Sequence, residues 1–258
     1  MKNDLTVIVP ALNEELHIRA SVKETLDAVY GVIEDYEIIV FNDGSSDRTG
    51  EIADEMASNH DRIRVVHHSK PMGLGYSYKE GVRLATKSHV LLIPGDNELR
   101  ADSLRAVCCR AGASDILVTY FLNPEVRSQA RQTISKVFAW IVRSASGVDL
   151  TYFNGPSIHR THLVRRAMEI ASDGFTYQAE ILARLIQSGA TYEEVGMYIN
   201  ARPKTSAFRL SNVVDVFKGT LKLVGRVALR RPEGEIEAAL KDASAVSPQG
   251  VPETELAS

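Results

Sequence analysis

Short apolar runs alternate with helically spaced apolar positions over the first hundred residues. Residues 5–10 (Leu-Thr-Val-Ile-Val-Pro) read as a buried strand, and residues 14–30 place Leu16, Val22, Leu26 and Val29 at helical spacing as candidate core positions. Residues 36–41 predict a second strand. It leads into Asn42-Asp43-Gly44-Ser45-Ser46-Asp47, where Ser46 or Asp47 is placed to cap a helix starting near Arg48. A third strand is expected at Ile63–His67, a helix opened by Gly73-Leu74-Gly75, and a fourth strand at 90–93. This order predicts an α/β fold, a parallel sheet with helices on both faces. Further on the rhythm predicts a helix at 103–111, a strand at 115–120, a loop at 123–127 and a long helix at 128–146. A helix at 173–188, a strand at 191–197 and a helix at 211–231 follow. No internal repeat or internal low-complexity linker interrupts this order.

Composition narrows the class. The 258 residues are 44% hydrophobic and 24% charged, which is ordinary for a globular chain. No apolar run approaches the ~20 residues of a membrane-spanning helix. Met1-Lys2-Asn3-Asp4-Leu5 enters a strand at once, so no secretory leader is expected. The two cysteines, Cys108 and Cys109, are adjacent, which suits reduced thiols on a helix and a cytoplasmic location. The net charge of −3 is unevenly spread: residues 200–231 hold eight basic residues and one acid, and residues 232–258 hold six acids and one base. The expected organisation is a domain at 1–210, a basic amphipathic helical extension at 211–231 and a disordered acidic tail at 232–258. In the extension Lys218, Lys222, Arg226 and Arg230 recur every four residues beside Val216, Phe217, Leu221, Val224 and Val227. That pattern suits an anionic membrane surface or a helix packed on the domain with solvated lysines. No aromatic stacking pattern accompanies the charge and the chain is slightly acidic, so no nucleic-acid role is expected.

In a parallel sheet the loops that follow the strands converge on one edge, where ligands bind. Here those loops are residues 10–15, 42–47, 71–75 and 94–98. The last, Pro94-Gly95-Asp96-Asn97-Glu98, ends the fourth strand at a breaker pair and then turns acidic. If the backbone stays extended, Asp96 and Glu98 point the same way. They are hard oxygen ligands of the kind that Mg²⁺ or Mn²⁺ uses while holding substrate phosphates, and taken alone they equally suit a solvated turn. Gly73-Leu74-Gly75 is not a dinucleotide fingerprint, because Tyr78 stands where the third glycine is needed. Lys70 is a candidate phosphate ligand, with a solvated lysine as the competing and favoured reading.

The blocks Val-Ile-Val-Pro-Ala-Leu-Asn-Glu-Glu and Asn-Asp-Gly-Ser-Ser-Asp-Arg-Thr, at this spacing, resemble family 2 glycosyltransferases of the GT-A fold. The resemblance is greatest to the polyprenyl- and dolichyl-phosphate sugar synthases and spans residues 5–209. It implies a Rossmann-like, mostly parallel sheet and a hexose transfer, with inversion, from a nucleoside-diphosphate sugar to a polyprenyl phosphate or related lipid. It places Pro10, Ala11, Glu14, Asp43, Gly73, Gly75 and Asp96 at the donor, with Asp43 reading the base. It places a divalent ion, Mg²⁺ or Mn²⁺, on Asp96 and Glu98. Asn42 stands where the family has a first aspartate of a pair, Pro94 where it has the first metal-motif aspartate, and Glu98 where it has glutamine.

On the acceptor side the resemblance points to Arg127, Arg131, Ser135, Glu180, Arg202, Ser206 and Arg209. Asp96, Arg131 and Arg202 would carry the catalysis. Asp173-Gly174-Phe175 through Glu180 is similar to the family's Gly-Phe…Glu segment. The stretch from Arg202 through Lys204 to Arg209 is similar to its Arg…Gly-Ser-Lys loop, with Ala207 in place of the lysine. No Glu-Asp dipeptide stands where many inverting relatives keep a general base, which favours an acceptor that is already an anion. The implied setting is cytoplasmic, peripheral on the inner face of a membrane. A hydroxyl acceptor and a non-catalytic nucleotide-sugar binding protein are the alternatives.

Overall fold

The computed structural model describes residues 4–168, 174, 176–201 and 219–225. Its elements run β1 (Asp4–Ala11), α1 (Ile18–Val29), β2 (Asp35–Asn42), α2 (Thr49–Ser58), β3 (Ile63–His67), α3 (Leu74–Leu84), β4 (His89–Leu92) and α4 (Ala101–Cys108). They continue through β5 (Ile116–Phe121), a 3₁₀ turn (Pro124–Val126), α5 (Gln129–Ser146), β6 (Ser157–Arg160), α6 (Thr161–Ala167), α7 (Tyr177–Gln187) and β7 (Tyr192–Met197). The strands form a seven-stranded sheet in the order β3-β2-β1-β4-β6-β5-β7. β6 is antiparallel to both neighbours, and every other pairing is parallel.

Alternation along the central strands decides which helix covers which face. Ile8, Ile39, Phe41, Val90, Leu92, Ile116 and Val118 join a core with α3, α5, α6 and α7. Leu5, Val7, Val9, Ile38, Val40, Leu91 and Leu117 join the opposite core with α1, α2 and α4. Both faces are therefore covered, as the apolar runs predict.

The structure corrects three local expectations. Leu16 is 84% exposed, because α1 starts only at Ile18 and residues 15–17 form a turn ahead of it; Ile18 takes the core position. α2 has no side-chain cap at its N-cap residue, Arg48. Instead the Asp47 carboxylate accepts from the Thr49 N–H at 3.0 Å, just inside the helix. Third, β6 and α6 lie where the sequence predicts no element. Within residues 219–225, which are helical, Thr220 and Leu223 are buried, whereas Leu221 and Lys222 are exposed. No helix among the described residues is long and apolar enough to cross a membrane.

Candidate active site

β1, β2, β3 and β4 are parallel, so the loops that leave them emerge at one edge of the sheet. The first two loops clasp each other. Asn13, at φ +55°, receives a hydrogen bond on its Oδ1 from the Ser46 N–H at 2.9 Å and donates its own N–H to Ser45 Oγ at 3.0 Å. The Glu14 N–H donates to Thr49 Oγ1 at 2.8 Å, and the Arg48 N–H to the Glu15 carboxylate at 3.1 Å. Asp47 is held below the usual carboxylate range: burial opposes its ionisation, but the Thr49 hydroxyl and the backbone N–H groups of Thr49 and Glu15 outweigh it.

The third loop closes down on the second. Gly44 has φ +71°, and a Cβ there would stand 2.5 Å from the Lys70 carbonyl carbon, so the position admits only glycine. Asp43, 5% exposed, accepts from the Met72 N–H at 2.8 Å and the Gly73 N–H at 2.9 Å. His68 Nδ1 lies 2.7 Å from the same carboxylate. As placed, Asp43 ties the second loop to the N-cap of α3, Gly73. Gly75 is buried in the first turn of α3.

The fourth loop is pinned by a close approach. The Gly95 N–H donates to the Pro10 carbonyl at 2.9 Å, and a Cβ on Gly95 would lie 2.8 Å from Ala11 Cβ. The chain then turns rather than staying extended: Asn97 has φ +56°, and the Asp96 Oδ1 accepts the Glu98 N–H at 3.1 Å. The premise that would align two carboxylates is therefore not met. Asp96 is half-buried. Glu98 is buried and claimed by arginines. Its Oε1 accepts from Arg127 Nε at 2.8 Å and Arg131 Nη1 at 3.2 Å, and its Oε2 from Arg131 Nη2 at 3.3 Å. Two guanidinium groups on one carboxylate compete with any cation there. The arginines thus occupy the carboxylate of Glu98, the expected second ligand of a metal pair with Asp96. Among the described residues no group of three His, Cys, Asp or Glu side chains gathers as a metal-binding set.

The arginines are themselves held. Arg127 also donates to the Tyr152 hydroxyl at 3.2 Å and lies 4.2 Å over the Phe121 ring. Arg131 comes from the first turn of α5, whose N-cap Ser128 accepts the Arg131 N–H. Side-chain exposure separates the two: 9% for Arg127 and 26% for Arg131. Arg131 is the guanidinium that solvent reaches. Ser135 follows one turn later, half-buried. The Asn200 N–H donates to the Glu98 carbonyl at 2.8 Å, bracing the loop from behind. Glu180 is fully buried in α7 and pairs with Arg184 at 2.8 Å, so it does not line an open cleft. Arg202, Lys204, Ser206 and Arg209 lie outside the described residues, as do Asp173, Phe175, Lys218, Arg226 and Arg230 and the tail at 232–258.

Sequence reasoning passed over His68 and Tyr152. For His68 a signal existed, since a titratable residue follows the end of a parallel strand. Tyr152 carries no local signal; it reaches Arg127 only through the fold.

The sequence profile described as "Glycosyl transferase family 2" matches residues 6–160, more than half of the chain. The chain belongs to glycosyl transferase family 2. It is 34% identical over 93 residues to the uncharacterised glycosyltransferase EpsJ of Bacillus subtilis, covering 36% of this chain and 26% of that one. It is 32% identical over 102 residues to the dolichyl-phosphate beta-glucosyltransferase ALG5C of Trichomonas vaginalis, covering 38% and 30%. Against the cholesterol galactosyltransferase of Borreliella burgdorferi it is 33% identical over 122 residues, covering 46% and 33%. The matches thus span about a third or less of these relatives. Among solved structures this family 2 chain resembles glucosyl-3-phosphoglycerate synthase of Mycobacterium tuberculosis, crystallised with Mn²⁺, UDP and glucosyl-3-phosphoglycerate. The TM-score is 0.59 at 19% identity, with 86% of this chain and 80% of that one covered. The fold is the GT-A arrangement that the sequence blocks imply.

Proposed function

We propose that this family 2 chain transfers a hexose from a nucleoside-diphosphate sugar to a polyprenyl phosphate or related lipid phosphate, with inversion. The carrying observation is a spacing of two residues. Asp96 and Glu98 share one turn, and Glu98 holds Arg127 and Arg131 beside it. In this reading Asp96 serves the leaving diphosphate, and Arg127 and Arg131, drawn to the same loop from the 3₁₀ turn and from α5, supply positive charge for an anionic acceptor. An acceptor phosphate oxygen attacks the anomeric carbon as the bond from that carbon to the diphosphate oxygen breaks, and the nucleoside diphosphate leaves with the electron pair. The nucleophile is already ionised, so no general base is required. Arg131 orients the acceptor phosphate through the guanidinium N–H groups that do not face Glu98. Pro10, Ala11, Glu14, Asp43, Gly73 and Gly75 line the donor side, Asp43 by holding the loop at Met72 and Gly73.

Hard oxygen donors suit Mg²⁺ or Mn²⁺ here. Asp96 offers a carboxylate, and the neighbouring Asn97 Oδ1 is a buried acceptor without a hydrogen-bond partner among the described residues. A divalent ion of this kind binds through one or two carboxylates plus substrate phosphates, so Asp96 suffices on the protein side. Bound there, it would neutralise charge on the leaving diphosphate. The UDP and Mn²⁺ with which the mycobacterial synthase was crystallised support this reading, as does the dolichyl-phosphate glucosyltransferase for the acceptor.

Peripheral membrane association belongs to the same proposal. α5 turns Phe138, Ala139 and Val142 into the core, while Val137 is 51% and Trp140 64% exposed. Ile134 and Ile141 flank them half-buried, and Lys136 is exposed on the other flank. An outward apolar strip with a tryptophan beside a lysine suits a lipid interface. The sterol named for the cholesterol galactosyltransferase favours a second reading, a hydroxyl acceptor.

The test is transfer of labelled hexose from UDP- and GDP-sugars to polyprenyl phosphate, with and without Mn²⁺. An organic-extractable product that needs the metal and is lost in Asp96→Ala is expected. Turnover unchanged in Asp96→Ala would remove Asp96 from the reading, and product formed only with alcohol acceptors would establish the second one. Trp140 is the chain's single tryptophan, so a blue shift of its emission on anionic vesicles reports the interface directly.

A further inference from the structure

His68 stands between two carboxylates at the mouth of the donor loops. Its Nδ1 lies 2.7 Å from the Asp43 Oδ1, and its Nε2 lies 2.9 Å from the Glu80 Oε2 of α3. The ring side chain is 8% exposed. Both partners are acceptors only, so satisfying both contacts requires a proton on each ring nitrogen. The rest of its shell is aromatic: Phe41 at 5.7 Å between ring centroids and Tyr76 edge-on at 5.5 Å. The adjacent His67 faces away, toward Asp54 at 3.0 Å. Lys70 is exposed in the same loop.

The Asp43 oxygen that meets His68 also accepts the Met72 N–H, and its other oxygen accepts the Gly73 N–H. His68 therefore joins three elements. The second loop supplies Asp43, α3 supplies Glu80, and the backbone at Met72 and Gly73 hangs from Asp43. We propose that His68, as an imidazolium bridging Asp43 and Glu80, is a positioning residue that sets the Met72–Gly73 backbone for the donor nucleotide. This rests on the donor side described under Proposed function. Burial disfavours the charged ring, but the two carboxylates outweigh it and raise its pKa above the ordinary histidine value. Once the proton is lost, one contact becomes a lone pair against an anion. The clasp then opens on one side.

Two readouts test this with the full chain. Hydrogen exchange of the Met72 and Gly73 amides, expressed as protection over the intrinsic rate, needs no ligand. Binding of UDP-glucose reports the donor, and its diphosphate is not itself titrating between pH 6 and 9. In the wild type both protection and affinity are expected to fall about tenfold from pH 6 to pH 9, the scale of one lost charge-assisted hydrogen bond. His68→Gln should show the weak values at every pH. Glu80→Gln removes one carboxylate, lowers the His68 pKa, and should move the transition to lower pH. A wild type flat in both readouts, or His68→Gln tracking the wild-type pH course, overturns the proposal. Amide protection that follows His68 while UDP-glucose and GDP-mannose bind at no pH upholds the clasp and overturns the donor assignment instead.

Discussion

Replacing Glu98 by glutamine separates a buried ion-pair cluster from a metal site. Glutamine preserves shape and one acceptor oxygen but removes the charge that two guanidinium groups share. Arg127 is left 9% exposed, with the Tyr152 hydroxyl at 3.2 Å and the Phe121 ring at 4.2 Å but no counter-charge. Arg131, more exposed, can turn to solvent at little cost. Breaking a buried pair from one side costs about 3–5 kcal/mol, and the retained neutral hydrogen bond returns about 1 kcal/mol. The expected loss is about 3 kcal/mol, or about 6–12 °C in Tm for a chain of this size. Arg127→Met should cost less, because Arg131 still pairs with Glu98. The double variant should be more stable than the sum of the two losses predicts, by at least about 1 kcal/mol. Equilibrium unfolding in urea at pH 7, repeated at high salt, measures all three; a buried pair is little screened. A Glu98→Gln protein within about 0.5 kcal/mol of the wild type, or strict additivity, would refute the cluster as described.

Three further outcomes are expected. Gly95→Ala drives a methyl to 2.8 Å from Ala11 Cβ and 3.0 Å from Ile18 Cδ1, and should cost about 1–3 kcal/mol in denaturant unfolding through overpacking. His159 is buried and neutral, with its pKa pushed down by burial to about 4. The unfolded chain takes up that proton near pH 6.5 and the folded chain does not, so stability should fall as pH drops from about 6.5 to about 4, by about 3 kcal/mol. His159→Gln should lose that part of the slope, and an unchanged slope would contradict the burial. Cys109 is exposed and Cys108 buried, with burial pushing the Cys108 thiol up to about 12. One thiol per folded chain should therefore react with an aromatic disulfide reagent at pH 8, and the second only after unfolding.

Ile63–His67 has the boundaries that its apolar run predicts, and β1, β2 and β4 differ from expectation by a residue or two at their ends. Strands buried on both faces announce themselves as continuous apolar runs. β6 escapes because its Ser157-Ile158-His159-Arg160 is short and has one apolar residue, yet Ser157, Ile158 and His159 are all buried. Only neighbours on both sides make such a segment a strand. Leu16 fails for the opposite reason: periodicity continues past the point where the backbone leaves the helix.

The α/β class, the edge at which the loops gather, and the family blocks at residues 7–15 and 42–49 are all legible along the chain. They depend on local periodicity and on residue types at fixed spacing, which need no partner to be read. What the acidic residues do follows only from the packed fold. Asp43 and Glu98 look alike in the sequence as turn carboxylates. The fold gives Asp43 two backbone N–H groups and His68, and gives Glu98 two arginines. A carboxylate's role is set by the charges and donors within a few ångströms of it. Here those come from residues 25 to 33 positions away in the chain.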